Sequence, residues 1–406
     1  MEIRPDILAE SLTAIPVTAG GGQPGPLSQL ELVGTLGVLG RSDQISINQW
    51  RNGLERLQAV LVERGCHSIK QLDVDFIDGP VDEDIFAALS VMEAFTRTVC
   101  VKPDIPVSIN VYDAMSERAV PIFDLSLLCE VPTRPAPSFF VQKHIQQLAA
   151  DTPTACFVIA PHHFTTPLDT PSPSAVALAR CMTFLKADQV EVFEQGRFLG
   201  AQWEPDADAE PPNPTVIDQL PASAFPTASR LYIYSTKGYA IGKKLASKMP
   251  AVRDIELYET MEADAVGVLE AVGGGGSPMR CEIRHMTAVS EEGLRWGDKA
   301  DELPSIEQQH VCVEVPEDLG HGDAAGEFGV SCVSSLLKIR GIEELKLRLE
   351  PPAAFQSFKR LVRERRHGDT IEGLPGRFDS IGWTTHMGIH IWRPVGACFL
   401  LKPKSI

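Results

Sequence analysis

Short stretches with every second residue apolar alternate along the chain with stretches whose apolar residues recur at spacings of three and four. The first pattern predicts strands with one buried face and the second predicts amphipathic helices. The alternation is clearest from Arg230 to Glu350. There the expected strands are Leu231 to Tyr234, Ile255 to Tyr258, Cys281 to Ile283, Val311 to Val315 and Leu345 to Leu349, with helices expected over Gly238 to Met249, Ala263 to Val272 and Ala325 to Ile339. Upstream, Ile47 to Glu63 places Trp50, Leu54, Leu57 and Leu61 on one helical face. Strands over Leu72 to Phe76, Val107 to Val111, Cys156 to Ile159 and Val190 to Val192 follow, with helices over Asp82 to Thr98, Phe139 to Ala149 and Ser174 to Leu185 between them. Leu30 to Leu32 and Ile389 to Trp392 read as outlying strands, and Phe355 to Arg366 as a helix.

Strands covered by helices on both faces read as continuous apolar runs, whereas strands covered on one face alternate. Most strands here alternate, which predicts an α/β chain with helices on one side of a parallel sheet and the other side wet. A doubly covered α/β sheet is the alternative. The outward set expected to line the open face is Tyr232, Tyr234, Glu256, Tyr258, Glu282, Arg284, Glu314, Lys346 and Arg348, with Glu191, His310 and Cys312 among the other outward positions. Aromatic and arginine residues on such a face are natural anchors for a protein partner.

Successive strands begin 24 residues apart (Leu231 to Ile255) and 26 apart (Ile255 to Cys281), then 30 and 34 apart. The first two steps fall within the period of leucine-rich repeats. In this rhythm, over roughly Leu30 to Trp392, the chain resembles the helix-containing kind of that family. Fragments of its motif stand at Ile69-x-x-Leu72-x-Val74, Val252-x-x-Ile255-x-Leu257 and Ile342-x-x-Leu345-x-Leu347. The family's asparagine ladder is missing, because Thr260 and Glu350 hold that position in two of the fragments. The resemblance implies an irregular solenoid with a curved parallel sheet over residues 30–406, and a non-enzymatic scaffold or adaptor role. Substrate receptors of ubiquitin ligases are among the family's roles, although no F-box-like module is recognisable.

Composition narrows the partners. The 406 residues carry a formal charge of −17, which repels phosphate backbones and anionic membranes and points to a protein partner. No apolar run reaches the roughly 18 residues of a membrane span. Met1 to Leu12, with Glu2, Asp6 and Glu10, is unlike a secretory signal. Nine cysteines without paired spacing read as reduced, intracellular thiols. Residues 1–29, ending in a Gly/Pro run, are expected to be a flexible lead-in, and the acidic, proline-rich residues 203–224 a solvated loop.

Candidate chemistry is sparse. Asp73 and Asp75 in Leu72-Asp73-Val74-Asp75-Phe76 resemble the strand-end Asp-x-Asp of magnesium-dependent haloacid-dehalogenase-like phosphatases, in which one carboxylate attacks phosphorus. Ser235, Lys243 or Lys244, and the acids of Gly297 to Asp301 would then be its further motifs. That phosphohydrolase is the alternative to the scaffold, weighed against solvated acids on an open strand. Lys237 to Lys244 lacks the first glycine and the hydroxyl residue of a P-loop, so Gly238 and Gly242 are read as tightening a strand-to-helix turn. No hydrolase triad can be assembled, since Ser331 falls inside a helical run. The pairs His162, His163 and His386, His390 lack zinc-ligand spacing. No cofactor or metal is expected, and the basic residues of Phe355 to Arg366 are read as a solvated helix face.

Overall fold

In a computed structural model, the described residues are 2–14, 35–36, 38–40, 47–64, 72–77, 83–99, 107–112, 122–130, 138–195, 209–273, 279–288, 290–319, 322–385 and 397–404. The expected strands at 30–32 and 389–392, and His386 and His390, lie outside them. The chain divides into two compact units, Met1–Cys156 with Pro171–Ala187, and Phe157–Thr170 with Asp188–Ile406.

In the first unit, strands Val38–Gly40, Leu72–Ile77 and Val107–Tyr112 pair side by side in parallel, with Asp73 opposite Ser108 and Asp75 opposite Asn110. Helix Ile47–Glu63 buries Trp50, Leu54, Leu57 and Leu61, as their spacing predicts. It packs against helix Pro5–Ala14, an element inside the segment expected to be flexible, and Arg56 of one meets Glu10 of the other. Acidic residues Asp6 and Glu10 interrupt the apolar pattern of Pro5–Ala14 and a Gly/Pro run follows it, which concealed this helix; it buries Pro5, Ala9 and Leu12. Ser138 caps Phe139–Asp151 by accepting from Val141 N at 3.3 Å and donates to Glu93 of helix Glu83–Val99 at 2.6 Å. Helix Pro173–Ala179, capped by Ser172, ends well before the expected Leu185, whose side chain is exposed.

The second unit is α/β, built on a large, mostly parallel mixed sheet that does not close into a barrel. In chain order its main elements are β1 (Gln189–Glu194), β2 (Arg230–Tyr234), α1 (Tyr239–Ala246), β3 (Asp254–Leu257), α2 (Glu262–Val272), β4 (Met279–Thr287), β5 (Ile306–Glu314), α3 (Asp323–Leu336), β6 (Glu344–Glu350), α4 (Pro352–Glu364), β7 (Phe378–Thr385) and β8 (Ala397–Pro403). Strands β1 to β6 are parallel, and each pairs with the next in sequence. Strand β8 adds antiparallel to β6, and β7 antiparallel to β8.

The register explains the alternation. Val192, Ile233, Leu257, Ile283, Val311, Leu347 and Phe399 stand opposite one another along one line, and all are buried. Burying a side chain of this kind stabilises by roughly 1.5–3 kcal/mol. Helices lie directly on this line. A Cβ at Gly242 of α1 would collide with Ile233, and one at Gly329 of α3 would come within 2.7 Å of Leu349 and Phe358. Gly238 meets Val192 and Ser235 in the same way, so these glycines serve close strand–helix packing. Within residues 209–224, expected to be solvated, the turn Thr215–Gln219 buries Val216 and Ile217, and Leu220 follows them into the core. Lys244 anchors this turn through Asp218 at 2.7 Å and Pro214 O at 3.2 Å.

Candidate interaction face

The residues between the core positions form the complementary line. Glu191, Tyr232, Glu256, Glu282, His310, Lys346 and Leu400 are register partners across β1, β2, β3, β4, β5, β6 and β8 in turn. Neighbouring strands lie about 4.8 Å apart, so successive side chains touch. All nine residues expected on the open face keep some exposure. Arg284 and Glu314 are exposed; Tyr232, Tyr234, Glu256, Tyr258, Glu282, Lys346 and Arg348 are half-buried. The half-burial is a departure from a freely exposed row; at Glu256 and Glu282 it includes ion pairs with Arg284. Cys312, also expected outward, is buried at 6% exposure beside Arg348.

Charges on the face are arranged, not scattered. Arg284 Nε lies 2.5 Å from Glu256 and 3.5 Å from the next carboxylate, Glu282. His310 Nδ1 is 3.7 Å from Glu282, while Lys346 pairs with Glu344 at 2.9 Å and Arg348 with Glu350 at 2.7 Å. His285 stands 3.9 Å from both Glu314 and Glu350. The His310 imidazole beside it holds the Glu282 carboxyl down at about 2, against the opposing effect of burial. Burial also disfavours charge on His310, yet its contacts with Cys398 and Glu282 raise it to about 9. At Glu256 burial outweighs Arg284 and the carboxyl is pushed up; at Glu191 burial outweighs the hydrogen bond from Gln189.

Glu282, His310 and Cys398 thus form an acid–imidazole–thiol chain that sequence spacing alone does not reveal, because the residues come from three separate strands. Cys398 is only 1% exposed, which closes the thiol to a substrate. The other candidates of the second unit have local roles. Ser235 donates to Glu194 at 2.6 Å, Lys244 is held by Asp218, and Ser331 lies inside α3. His163 is buried and its Nδ1 accepts from Ala160 N at 3.0 Å. Among the described residues, no group of three or more His, Cys, Asp or Glu side chains is placed to hold a metal. The basic residues of α4 are engaged locally: Arg360 with Asp323, Arg365 with Glu327, and Lys359 and Arg363 over the Trp383 ring at 5.4 and 6.0 Å.

No known protein family, curated protein or solved structure matches the chain. Among the described residues, no helix is long and apolar enough to cross a membrane. Cys181, Cys281, Cys332 and Cys398 form no disulfide, and burial raises the Cys281 and Cys332 thiols to about 12.

Proposed function

We propose that the second unit is a one-sided strand–helix array, an irregular solenoid of the leucine-rich-repeat kind, and that its open sheet face binds a protein partner without catalysing a reaction. The observation that carries this reading is the register line from Glu191 to Lys346, in which six consecutive parallel strands each contribute one polar or tyrosine side chain and none is in the core. Sequential strand order supports an array, since each strand–helix step then packs chiefly on its neighbours. Tyr232, Tyr234, Arg284 and Arg348 are the residue types that anchor protein interfaces. The thiols of Cys181, Cys281, Cys332 and Cys398, which are not in disulfides, support a reducing compartment.

Site-specific photo-cross-linking in cells tests the reading. A cross-linker in place of Tyr234 is expected to give a discrete protein adduct, and one in place of Lys359 on α4 is not. Adducts from Lys359 alone, or from neither position, would reject the sheet face as the binding surface.

A further inference from the structure

Among the described residues, strand β7 is an outermost strand of the sheet and pairs only with β8. Trp383 packs edge-on against Phe355 and Phe358 of α4, so Ile381 and Trp383 belong to the helix side of the strand, and its alternation puts Ser380 and Gly382 on the open side. The space there is clear: Ser380 is exposed, and a Cβ on Gly382 would meet nothing within 4 Å. Phe378 stands opposite Pro403 and Ser380 opposite Lys402, so Asp379 is an extra residue with no partner in the register. A bulge of this kind bends the strand that carries it and re-aims side chains next to it.

Lys402, directly opposite Ser380, is exposed and forms no ion pair with any described residue. The carboxylates on either side of it are taken, since Glu344 of β6 holds Lys346 at 2.9 Å and Asp369 holds Lys404 at 2.9 Å. Arg377, three residues ahead of Ser380, is exposed too; it lends Asp369 its field, while the hydrogen bond to that carboxylate comes from Lys404. Arg377 to Ser380 is the only Arg-x-x-Ser in the 406 residues.

We propose that Ser380 is a phosphorylation site for a protein kinase that selects arginine three residues ahead of its serine, and that Lys402 receives the phosphate across the β7–β8 pair. The Ser380 hydroxyl oxygen attacks the γ-phosphorus of ATP. An O–P bond forms, the bond bridging the β and γ phosphates breaks, ADP leaves with its electron pair, and the hydroxyl proton passes to the kinase's carboxylate base. Kinases discriminate by the charge pattern around the acceptor, which Arg377 supplies, and an edge strand already presents extended backbone. The product carries about two negative charges and three strong acceptor oxygens. Directly opposite residues of an antiparallel pair have Cβ atoms about 5 Å apart, within the reach of a lysine side chain. The inference stands apart from the reading of the sheet face as a docking surface, although the new charge would lie on that same side.

Incubating the full chain with ATP, magnesium and a calmodulin-dependent kinase of that preference, followed by peptide mass spectrometry, tests the first half. Phosphate is expected on Ser380. It is not expected on Thr287, which also has an arginine three residues ahead, because Arg284 is held by Glu256 and the Thr287 hydroxyl bonds Glu314 at 3.4 Å. Arg377→Ala should slow incorporation at Ser380 about tenfold, as loss of one charge-assisted contact does. Phosphorus NMR reads the second half. The second ionisation of a free phosphoserine falls at about pH 6, and a lysine beside it in the folded chain should lower that value by about half a unit. Lys402→Gln should restore the ordinary value, whereas Lys299→Gln, the same charge change in the loop ahead of β5, should not. No phosphate on Ser380, or incorporation that ignores Arg377→Ala, would overturn the kinase assignment. A phosphoserine that titrates alike with and without Lys402 would overturn the receiving role of that lysine.

Discussion

Replacing Glu282 with Gln removes the carboxylate beside His310 while nearly keeping side-chain volume, and the consequence for stability depends on pH. His310 rises from 6.5 to about 9 in the folded chain. A raised pKa of this kind contributes stability fully present below 6.5 and lost as pH climbs through 9. Glu282 falls from 4.5 to about 2, so its contribution is present above 4.5 and lost as pH drops toward 2. The pair therefore stabilises most between pH 4.5 and 6.5. The His310 shift, 9 − 6.5 = 2.5, would correspond to ~3.4 kcal/mol at 1.36 kcal/mol per unit. Both shifts describe one interaction and are counted once. Part of that shift comes from the Cys398 contact, which Glu282→Gln leaves in place. With the His310 side chain 32% exposed, screening lowers it further, so the part owed to Glu282 is about 1–2 kcal/mol. Arg280 and Arg284 also touch Glu282, but they stay charged across this range and contribute a part that does not vary with pH. Urea melts of wild type and Glu282→Gln at pH values near 5.5, 7 and 9.5 should show a deficit that shrinks by about 1 kcal/mol or more at the alkaline end. The same deficit at all three pH values would show that no ion pair with His310 is at work.

Truncating Leu257 to Ala in the core line should cost about 2–5 kcal/mol in denaturant melts. Glu256→Ala, one residue away on the open face, should cost less than about 1 kcal/mol, because burial of its carboxylate already offsets most of the Arg284 attraction. Gly242→Ala would stabilise α1 by about 1 kcal/mol if helix propensity ruled. The collision with Ile233 predicts instead a net loss of about 1–3 kcal/mol, readable as a lower urea midpoint. With magnesium and an aryl phosphate the protein should show no turnover above background, and a turnover abolished by Asp73→Asn would contradict the non-enzymatic reading.

Most strand positions of the second unit were legible because buried and half-buried residues alternate along them, which gives a period of two. Leu231, Ile233, Ile255 and Leu257 announce their face without reference to any partner strand. Element ends were less legible. The helix from Pro173 stops at Ala179 although Cys181, Met182, Phe184 and Leu185 continue an apolar pattern, because Met182 and Phe184 reach the core from irregular backbone, Phe184 edge-on against Phe123 at 5.2 Å. The helix Pro5–Ala14 was hidden because Asp6 and Glu10 break its apolar pattern and it spans only ten residues beside a Gly/Pro run. Individual members of the face could be read from alternation, but their pairing could not. Once strands are known to pair in sequence order, Glu282 must fall beside His310, and Tyr232 between Glu191 and Glu256. The lengthening steps between strands withhold that register from the chain alone, and Cys398 joins His310 only because β8 returns antiparallel to β6.

With the partner captured at position 234 purified, its affinity for a panel of alanine variants puts the central claim to the most direct test. Tyr232→Ala, Tyr234→Ala, Arg284→Ala and Arg348→Ala on the open face would be compared with Lys359→Ala and Arg363→Ala on α4. At least two of the face variants are expected to lose about tenfold or more, ~1.4 kcal/mol each, while both helix variants bind as wild type. Losses confined to Lys359 and Arg363, with the four face variants unchanged, would contradict it.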